Sequence, residues 1–428
     1  MHVLAAALLT SGCVFRGVAE QQRRIDAACK ILGRASVEKP GETPIIVGLV
    51  RRDPDPARDR LIDHFVLERA GAFGFVTAPG TYELGAFQSL NGDLVYDPGE
   101  PGLAVDRERP IECRPGETVA GIELVVPAEG RLQVEGTLDL AAIEARSPDA
   151  QEGETLSRML VRGEVTTLAD PRFARSSAES GLWRPLDFIV DIGAGIYFLE
   201  PYDPGRVPVL FVHGMVGTPL DFATLIANLD RKRFQPWVFY YPTGASLETV
   251  ARALSQIVVG LRIQYRFPRL LVVAHSMGGL VSRAFLLEQS ADIDAGAIPL
   301  FVSLATPWRG QPSAGAGVAR APTVVRSWYG MAPDSAFQRE IFYQDPETMA
   351  VRRRLPRGVV HHLFFGFHRD ESWPGASSDS TIALLSQLRA EAQADAARIY
   401  GHDDTHTGIL QDPEVVSQLN EILARFAR

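Results

Sequence analysis

The chain has 428 residues, 46% of them hydrophobic and 22% charged, with a formal net charge of −9. That length accommodates two domains around a large core, and that composition is the one globular soluble proteins have. The acidic balance, with no basic run against it, excludes a general nucleic-acid binder, and no stretch after the first residues is apolar for long enough to span a bilayer.

The first element in chain order is a short apolar run, Val3 to Leu9, followed by Thr10-Ser11-Gly12-Cys13. It resembles a bacterial lipoprotein signal, in which small residues precede a cysteine that is lipidated and becomes the new amino terminus. The resemblance implies export to the cell envelope, or secretion, with Cys13 as the lipidation site and a membrane contact through it. Two features depart from the pattern: no Lys or Arg precedes the run, and Thr10 stands where Leu is usual. The signal- or lipoprotein-like segment covers residues 1–20, and an ordinary cleaved signal or merely an apolar tail is the alternative. With Cys13 set aside, Cys29 and Cys113 are left as a possible disulfide, although sequence alone does not bring them together.

Gln21 to Lys30 reads as a short helix leading into a β-rich domain over 21–130. Brief apolar runs at Ile45–Val50, His64–Leu67, Ala72–Val76, Tyr82–Ala86 and Ile122–Val126 are separated by Pro79-Gly80, Asn91-Gly92, Pro98-Gly99 and Pro115-Gly116. Strands this short, with turn signals between them, predict a small all-β sandwich. The run Gly71-Ala72-Phe73-Gly74-Phe75 through Thr81-Tyr82-Glu83-Leu84 resembles carboxypeptidase-regulatory or transthyretin-like sandwich modules. The partner of such a module is unknown. Asn91, Asp93, Asp97 and Glu100 crowd one turn. Their spacing matches no EF-hand loop, and plain solubility explains an acidic turn as well as calcium does.

Residues 131–180 are polar and read as a connector, with helical pattern at Thr155–Val161. From 181 to 428 strands alternate with helices. Gly195–Leu199, Val207–Val212, Phe234–Tyr241, Leu270–Ala274, Pro299–Leu304, Val359–Phe367 and Arg398–Tyr400 are the strand candidates. Phe222–Leu229, Leu247–Leu261, the run from Leu280 and Pro413–Phe426 carry helical spacing. The fold class is α/β, a mostly parallel sheet covered on both faces. An insertion over about 309–357 interrupts the alternation and carries Trp328, Tyr329, Met331, Phe337, Ile341, Phe342 and Tyr343. It is either an apolar cap over a site or a packed structural excursion.

One stretch organises the second domain. The apolar run Leu270–Ala274 stops at His275-Ser276-Met277-Gly278-Gly279 and continues as a helix through Leu280, Val281, Ala284 and Phe285. A strand turning sharply into a helix through a serine flanked by small residues is the nucleophile elbow of α/β-hydrolases, usually G-x-S-x-G, with Ala274 here in the first position. A base and an orienting carboxylate must follow, in the order acid then histidine. Asp379, in Ser377-Ser378-Asp379-Ser380-Thr381, follows a strand, precedes a run of helical spacing over Ile382–Leu388 and is the acid, with Asp370 in the same loop as rival. Of nine histidines, His402 and His406 alone follow the final strand, and His406-Thr407-Gly408-Ile409-Leu410 resembles the histidine loop of bacterial lipases. His406 is therefore the base. His213 and His275, in the glycine motifs, read as loop holders. The backbone N–H groups of Met215, after His213-Gly214, and of Met277, after the serine, are the expected oxyanion donors.

With Val-His-Gly-Met-Val-Gly-Thr-Pro, Ala-His-Ser-Met-Gly-Gly and the late Asp and His loops, residues 181–428 resemble the lipase- and esterase-like α/β-hydrolases. The resemblance implies cleavage of carboxylic esters, of hydrophobic acyl substrates given the apolar insertion, with no metal and no organic cofactor. The alternatives are acyl transfer on the same triad and a catalytically inert surface binding protein.

Overall fold

The computed structural model describes residues 15–39, 43–53, 55, 59–103, 108–132, 138–140, 155, 158–289, 296–368 and 377–427. Cys13 and Asp370 lie outside the described residues, as does most of the polar run after Ala141. The chain divides into two compact units, one of Met1–Ala19, Gly163–Ser255 and Phe267–Arg428, the other of Glu20–Arg162 with Gln256–Arg266.

The first unit is built on an eight-stranded sheet. Its strands are β1 (Val161–Val165), β2 (Gly195–Phe198), β3 (Val207–Val212), β4 (Phe234–Tyr240), β5 (Leu271–His275), β6 (Leu300–Leu304), β7 (Val360–Gly366) and β8 (Ala396–His402). Their spatial order is β1-β2-β4-β3-β5-β6-β7-β8. From β4 onward every pairing is parallel, while β2 runs antiparallel to β4 with Gly195 opposite Tyr240. β5 and β6 are buried along their whole length, which explains their unbroken Leu, Val and Phe content. The longer helices that follow β4, β5 and β8 are α1 (Leu247–Tyr265), α2 (Met277–Glu288) and α3 (Pro413–Ala424). Among the described residues no helix is long and apolar enough to cross a membrane.

Three local expectations differ from the structure. Residues 15–26 are helical, and Cys29 already belongs to a strand, Cys29–Val37. Where Thr155–Val161 carries helical spacing, the described residues hold no helix: Arg158–Leu160 form a turn and Val161 opens the edge strand β1. Ile382–Leu388 forms a helix only over Leu384–Gln387, since Thr381 and Ile382 donate their N–H groups to the Asp379 carboxylate instead.

In the second unit, one sheet orders Gly71–Thr77, Cys29–Val37 and Thr118–Val126. The other orders Arg60–Leu67, Ile45–Arg51, Gly80–Gln88 and Gly102–Leu103, with Ile111–Cys113 also on Gly80–Gln88. One apolar cluster, including Ile31, Val47, Leu49, Phe73, Phe75 and Val126, draws on both sheets. Cys29 and Cys113 are disulfide-bonded inside that cluster, with Cα atoms 5.9 Å apart. The carboxylates of the Asn91–Glu100 turn serve the turn itself: Glu100 accepts from Leu90 N–H at 2.6 Å and Asp97 N–H at 3.1 Å, and Asp93 accepts from Val95 N–H at 2.8 Å.

The insertion after β6 folds as three short helices and a hairpin, Tyr343–Asp345 with Ala350–Arg352. Met331, Phe337, Ile341 and Phe342 are buried, whereas Tyr329 is exposed. A buried cation ties the insertion to the helix behind Ser276. Arg283 of α2 donates to Ile341 O at 2.9 Å, to Arg353 O at 3.0 Å and to Asp395 Oδ2 at 2.6 Å, and its guanidinium stacks 4.1 Å above the Phe342 ring. Burial lowers its pKa to about 10, still above neutrality, so the charge is held in the core. Removing one member of such a pair is costlier than replacing both. Arg283→Met should therefore destabilise the protein by about 3 kcal/mol, with part recovered in Arg283→Met/Asp395→Leu. Urea unfolding of both variants measures this, and additive losses would contradict it.

Candidate active site

The site begins with backbone geometry. Where β5 passes into α2, Ser276 adopts φ 53° and ψ −128°, a region that a non-glycine residue occupies only when its surroundings hold it there. Two backbone bonds do so: Ser276 N–H donates to Leu304 O at 2.9 Å, and Gly279 N–H donates to Ser276 O at 2.9 Å. The flanking glycines are required by contact. A Cβ at Gly278 would lie 2.3 Å from Val212 O, and one at Gly279 would lie 2.0 Å from Thr306 Oγ1. The helix can thus fold back tightly on β3 and on the loop after β6, lifting the serine out of the sheet.

The loop after β3 is pressed against that serine. A Cβ on Gly214 would sit 2.7 Å from Ser276 Cβ and 3.2 Å from its Oγ. Only a bare backbone fits there, and Met215 follows it directly in the chain. Among the described residues Met215 N–H has no backbone acceptor. Met277 is the first residue of α2, so its N–H has no acceptor within the helix. His213 holds this loop: its Nδ1 donates to Gly214 O at 2.8 Å, and its Nε2 accepts the Tyr241 N–H at 3.3 Å. Tyr241 OH donates to His213 O at 2.7 Å, and the two rings stack at 4.3 Å. Val216, at φ 54°, donates its N–H to Thr243 Oγ1, and Thr218 with Asp221 forms a capping box that starts the next turn.

The loops after β7 and β8 bring the other two side chains in. His406 Nε2 lies 2.9 Å from Ser276 Oγ, and its Nδ1 lies 2.7 Å from Asp379 Oδ2. An ionised carboxylate can only accept, so Nδ1 carries the proton and Nε2 is left to accept from the serine. Asp379 is fully buried, and its Oδ1 accepts from Thr381 N–H at 3.0 Å and Ile382 N–H at 2.6 Å. The backbone fastens the two loops together, with His406 N–H on Asp379 O at 2.7 Å. His275, one residue before the serine, has its Nε2 2.8 Å from His406 O and must donate to it. The remaining strand histidines are occupied elsewhere, His361 with Ser303 at 2.9 Å and His362 with Tyr400 at 3.0 Å.

Ser276, Asp379 and His406 are therefore in hydrogen-bond sequence; Met277 follows the serine directly, and Met215 follows Gly214, whose backbone packs on the Ser276 side chain. His402, the rival base, is buried at the end of β8 and stacks on Phe364. Sequence reasoning missed the His275–His406 bond, which joins residues 131 apart in the chain. Its only signal was a histidine placed where the elbow needs none.

Beside the loop after β3 lies an apolar cluster in which Met215 and Val216 pack with Leu182, Trp183, Val325 and Trp328. Val18 joins the same cluster, and Phe15 meets Trp183 edge-on at 6.0 Å.

Residues 258–320 match the family model of lecithin:cholesterol acyltransferase, a stretch that includes β5, the turn at Ser276 and α2. No curated protein matches the chain. Among solved structures, a mature Bacillus licheniformis lipase is similar at 13% identity and a TM-score of 0.41, over 54% of this chain and 97% of the lipase. A Listeria innocua gene product is similar at 14% identity and a TM-score of 0.38, over 52% and 95%. Aspergillus fumigatus lipase B is similar at 12% identity and a TM-score of 0.39, over 54% and 56%.

Burial shapes the titration of the loop holders. It lowers the pKa of His213 to about 4, and burial together with His406 lowers that of His275 to about 3. Both lie below the unfolded value of 6.5, so under that pH the unfolded chain binds protons that the native state refuses. The stabilisation is present above pH 6.5 and is lost as pH falls toward 4 and 3, by about 1.4 kcal/mol per pH unit for each histidine. Urea unfolding at a series of pH values should show this slope, and His275→Gln should flatten it; an unchanged slope in the variant would contradict the assignment.

The eight-stranded order β1-β2-β4-β3-β5-β6-β7-β8, the antiparallel β2 and the strained serine after β5 make this unit an α/β-hydrolase fold, one that supports both ester hydrolysis and acyl transfer.

Proposed function

We propose that the protein is a serine hydrolase that cleaves carboxylic esters of hydrophobic acyl groups through an acyl-enzyme. The observation that carries this reading is the sequence of contacts from Ser276 Oγ to His406 Nε2 at 2.9 Å and from His406 Nδ1 to Asp379 Oδ2 at 2.7 Å. Ser276 Oγ attacks the acyl carbonyl while His406 Nε2 takes its proton. The carbonyl oxygen becomes an oxyanion and accepts from the Met215 and Met277 N–H groups. The acyl–oxygen bond to the alcohol then breaks, and the imidazolium returns its proton to the departing alkoxide. Water, deprotonated by the same nitrogen, attacks the acyl–Ser276 ester and frees the acid. Asp379 holds the ring's tautomer and stabilises the imidazolium; it stays ionised throughout. No metal and no organic cofactor enters these steps.

The apolar cluster of Met215, Val216, Trp183, Val325 and Trp328 supports an acyl chain lying beside the oxyanion loop. In the same reading, Cys13 carries a lipid that holds the protein at the bacterial envelope membrane. Residues 21–130 then form a transthyretin-like sandwich module. The match of residues 258–320 to an acyltransferase family favours a second reading, in which an alcohol replaces water in the last step.

Turnover of p-nitrophenyl esters of increasing acyl length should be detectable for wild type and rise with chain length. Ser276→Ala should lose it by roughly 10⁴-fold or more. Adding an alcohol acceptor and separating free acid from new ester distinguishes hydrolysis from transfer. If folded wild type neither turns over an ester nor reacts with a fluorophosphonate, the hydrolase reading falls and an inert binding protein takes its place.

Asp379→Asn should keep the fold but donate toward Nδ1, which forces the other tautomer and turns Nε2–H at the serine. Activity should drop on the order of 10⁴-fold at pH 7. Activity within about tenfold of wild type would remove Asp379 from the triad.

A further inference from the structure

Behind the histidine loop lies a second cluster that the proposed reaction does not use. One ring nitrogen of His402 and one carboxylate oxygen each of Asp404 and Asp412 lie within 4.8 Å of one another. The three residues bracket His406. His402 ends β8, Asp404 follows two residues later, and Asp412 caps α3.

Their bonding is incomplete. His402 is 5% exposed, and its Nε2 is buried with no hydrogen-bond partner among the described residues. Asp404 Oδ2 is likewise buried and without a partner. Asp412 Oδ1 accepts from Glu414 N–H at 2.5 Å and Val415 N–H at 3.2 Å. The two carboxylates and an imidazole nitrogen thus converge, with His402 Nε2 and Asp404 Oδ2 left without a partner among the described residues. Unsatisfied buried polar atoms of this kind are expensive to keep and call for a partner.

We infer that His402, Asp404 and Asp412 form a binding site for a divalent cation of borderline softness, of the zinc class, which clamps the loop carrying His406 to the start of α3. The donor set decides the class. One imidazole and two carboxylates suit a small ion with three protein ligands and water in the open position. Calcium takes six to eight oxygens, more than three side chains offer and without a nitrogen. The placement decides the consequence. A bare Gly366 Cα is wedged between Asp404 O and Asp379 Cβ, 3.1 and 3.0 Å from where its own Cβ would stand. Fixing Asp404 therefore fixes the backbone against which the Asp379 and His406 loops rest.

The test uses the full chain stripped with a chelator and titrated with zinc chloride against a chromophoric zinc indicator, with thermal unfolding followed in parallel. One zinc ion per chain and a midpoint that rises with zinc concentration are expected, since an ion bound only by the native state stabilises it by mass action. Asp404→Asn and Asp412→Asn should each weaken zinc at least about tenfold while keeping the wild-type circular dichroism. Asparagine is as good an N-cap as aspartate, so loss of binding in Asp412→Asn is not loss of the helix. Calcium chloride at the same concentrations should not move the midpoint. The inference is overturned if wild type binds no stoichiometric zinc, if both variants bind it as wild type does, or if calcium alone stabilises. It is also overturned if Asp404→Asn raises the midpoint at pH 7 independently of zinc, the mark of a shared proton in place of a cation.

Discussion

The unit that carries the site depends on one close approach of backbones. Gly214, Ser276 and Gly278 occupy a space in which no additional carbon fits: the Gly214 side-chain position lies 2.7 Å from Ser276 Cβ, and that of Gly278 lies 2.3 Å from Val212 O. This contact forces the left-handed serine, and the parallel β3–β5 pairing, with Val212 opposite Ala274, sets how near the two loops come. A strained residue persists only where the structure around it over-determines its backbone. Here two parallel strands and a buried helix do that, and a hydroxyl lifted clear of the sheet toward His406 is the consequence.

The rest of the site is added by loops from more distant strands, and their alignment relies on side chains that do no chemistry. His275 reaches from the elbow to the backbone of His406, and Asp379 satisfies Thr381 and Ile382 before it meets the imidazole. These bonds are buried or partly buried, so each is worth more than the same bond in water and costs more to leave unmade. Arg283 does comparable work for the insertion, because its guanidinium is the common partner of Ile341, Arg353 and Asp395. The insertion's large apolar residues are mostly packed inward through that arrangement, and Tyr329 is left at the surface.

A cation behind the histidine loop would belong to the same logic. The loop from Asp403 to Asp412 leaves the sheet at an edge strand and carries His406 in its middle, so its two ends matter as much as the bonds it receives from His275 and Asp379. His402 and Asp404 at one end and Asp412 at the other supply that restraint only if something positive joins them.

Periodicity and turn chemistry in the amino-acid sequence determined the α/β alternation, most strand positions within a residue or two, and the elbow at Ser276. These are local signals: a buried parallel strand is a continuous apolar run, and a strained serine needs small neighbours on either side. Local signals also misled, at Thr155–Val161 and at Ile382–Leu388, where pairing at a sheet edge and a buried carboxylate took the backbone hydrogen bonds that a helix would have used. Chain order narrowed the acid and the base to a few residues but could not bring any of them to the serine. That was decided by tertiary structure alone, as were the Cys29–Cys113 pairing, the His275–His406 bond, the Arg283 anchor and the meeting of His402 with Asp404 and Asp412. The reason is the same in each case. The partners are separated along the chain, their distances are set by how strands stack in the sheet, and a spacing in sequence carries no record of that stacking.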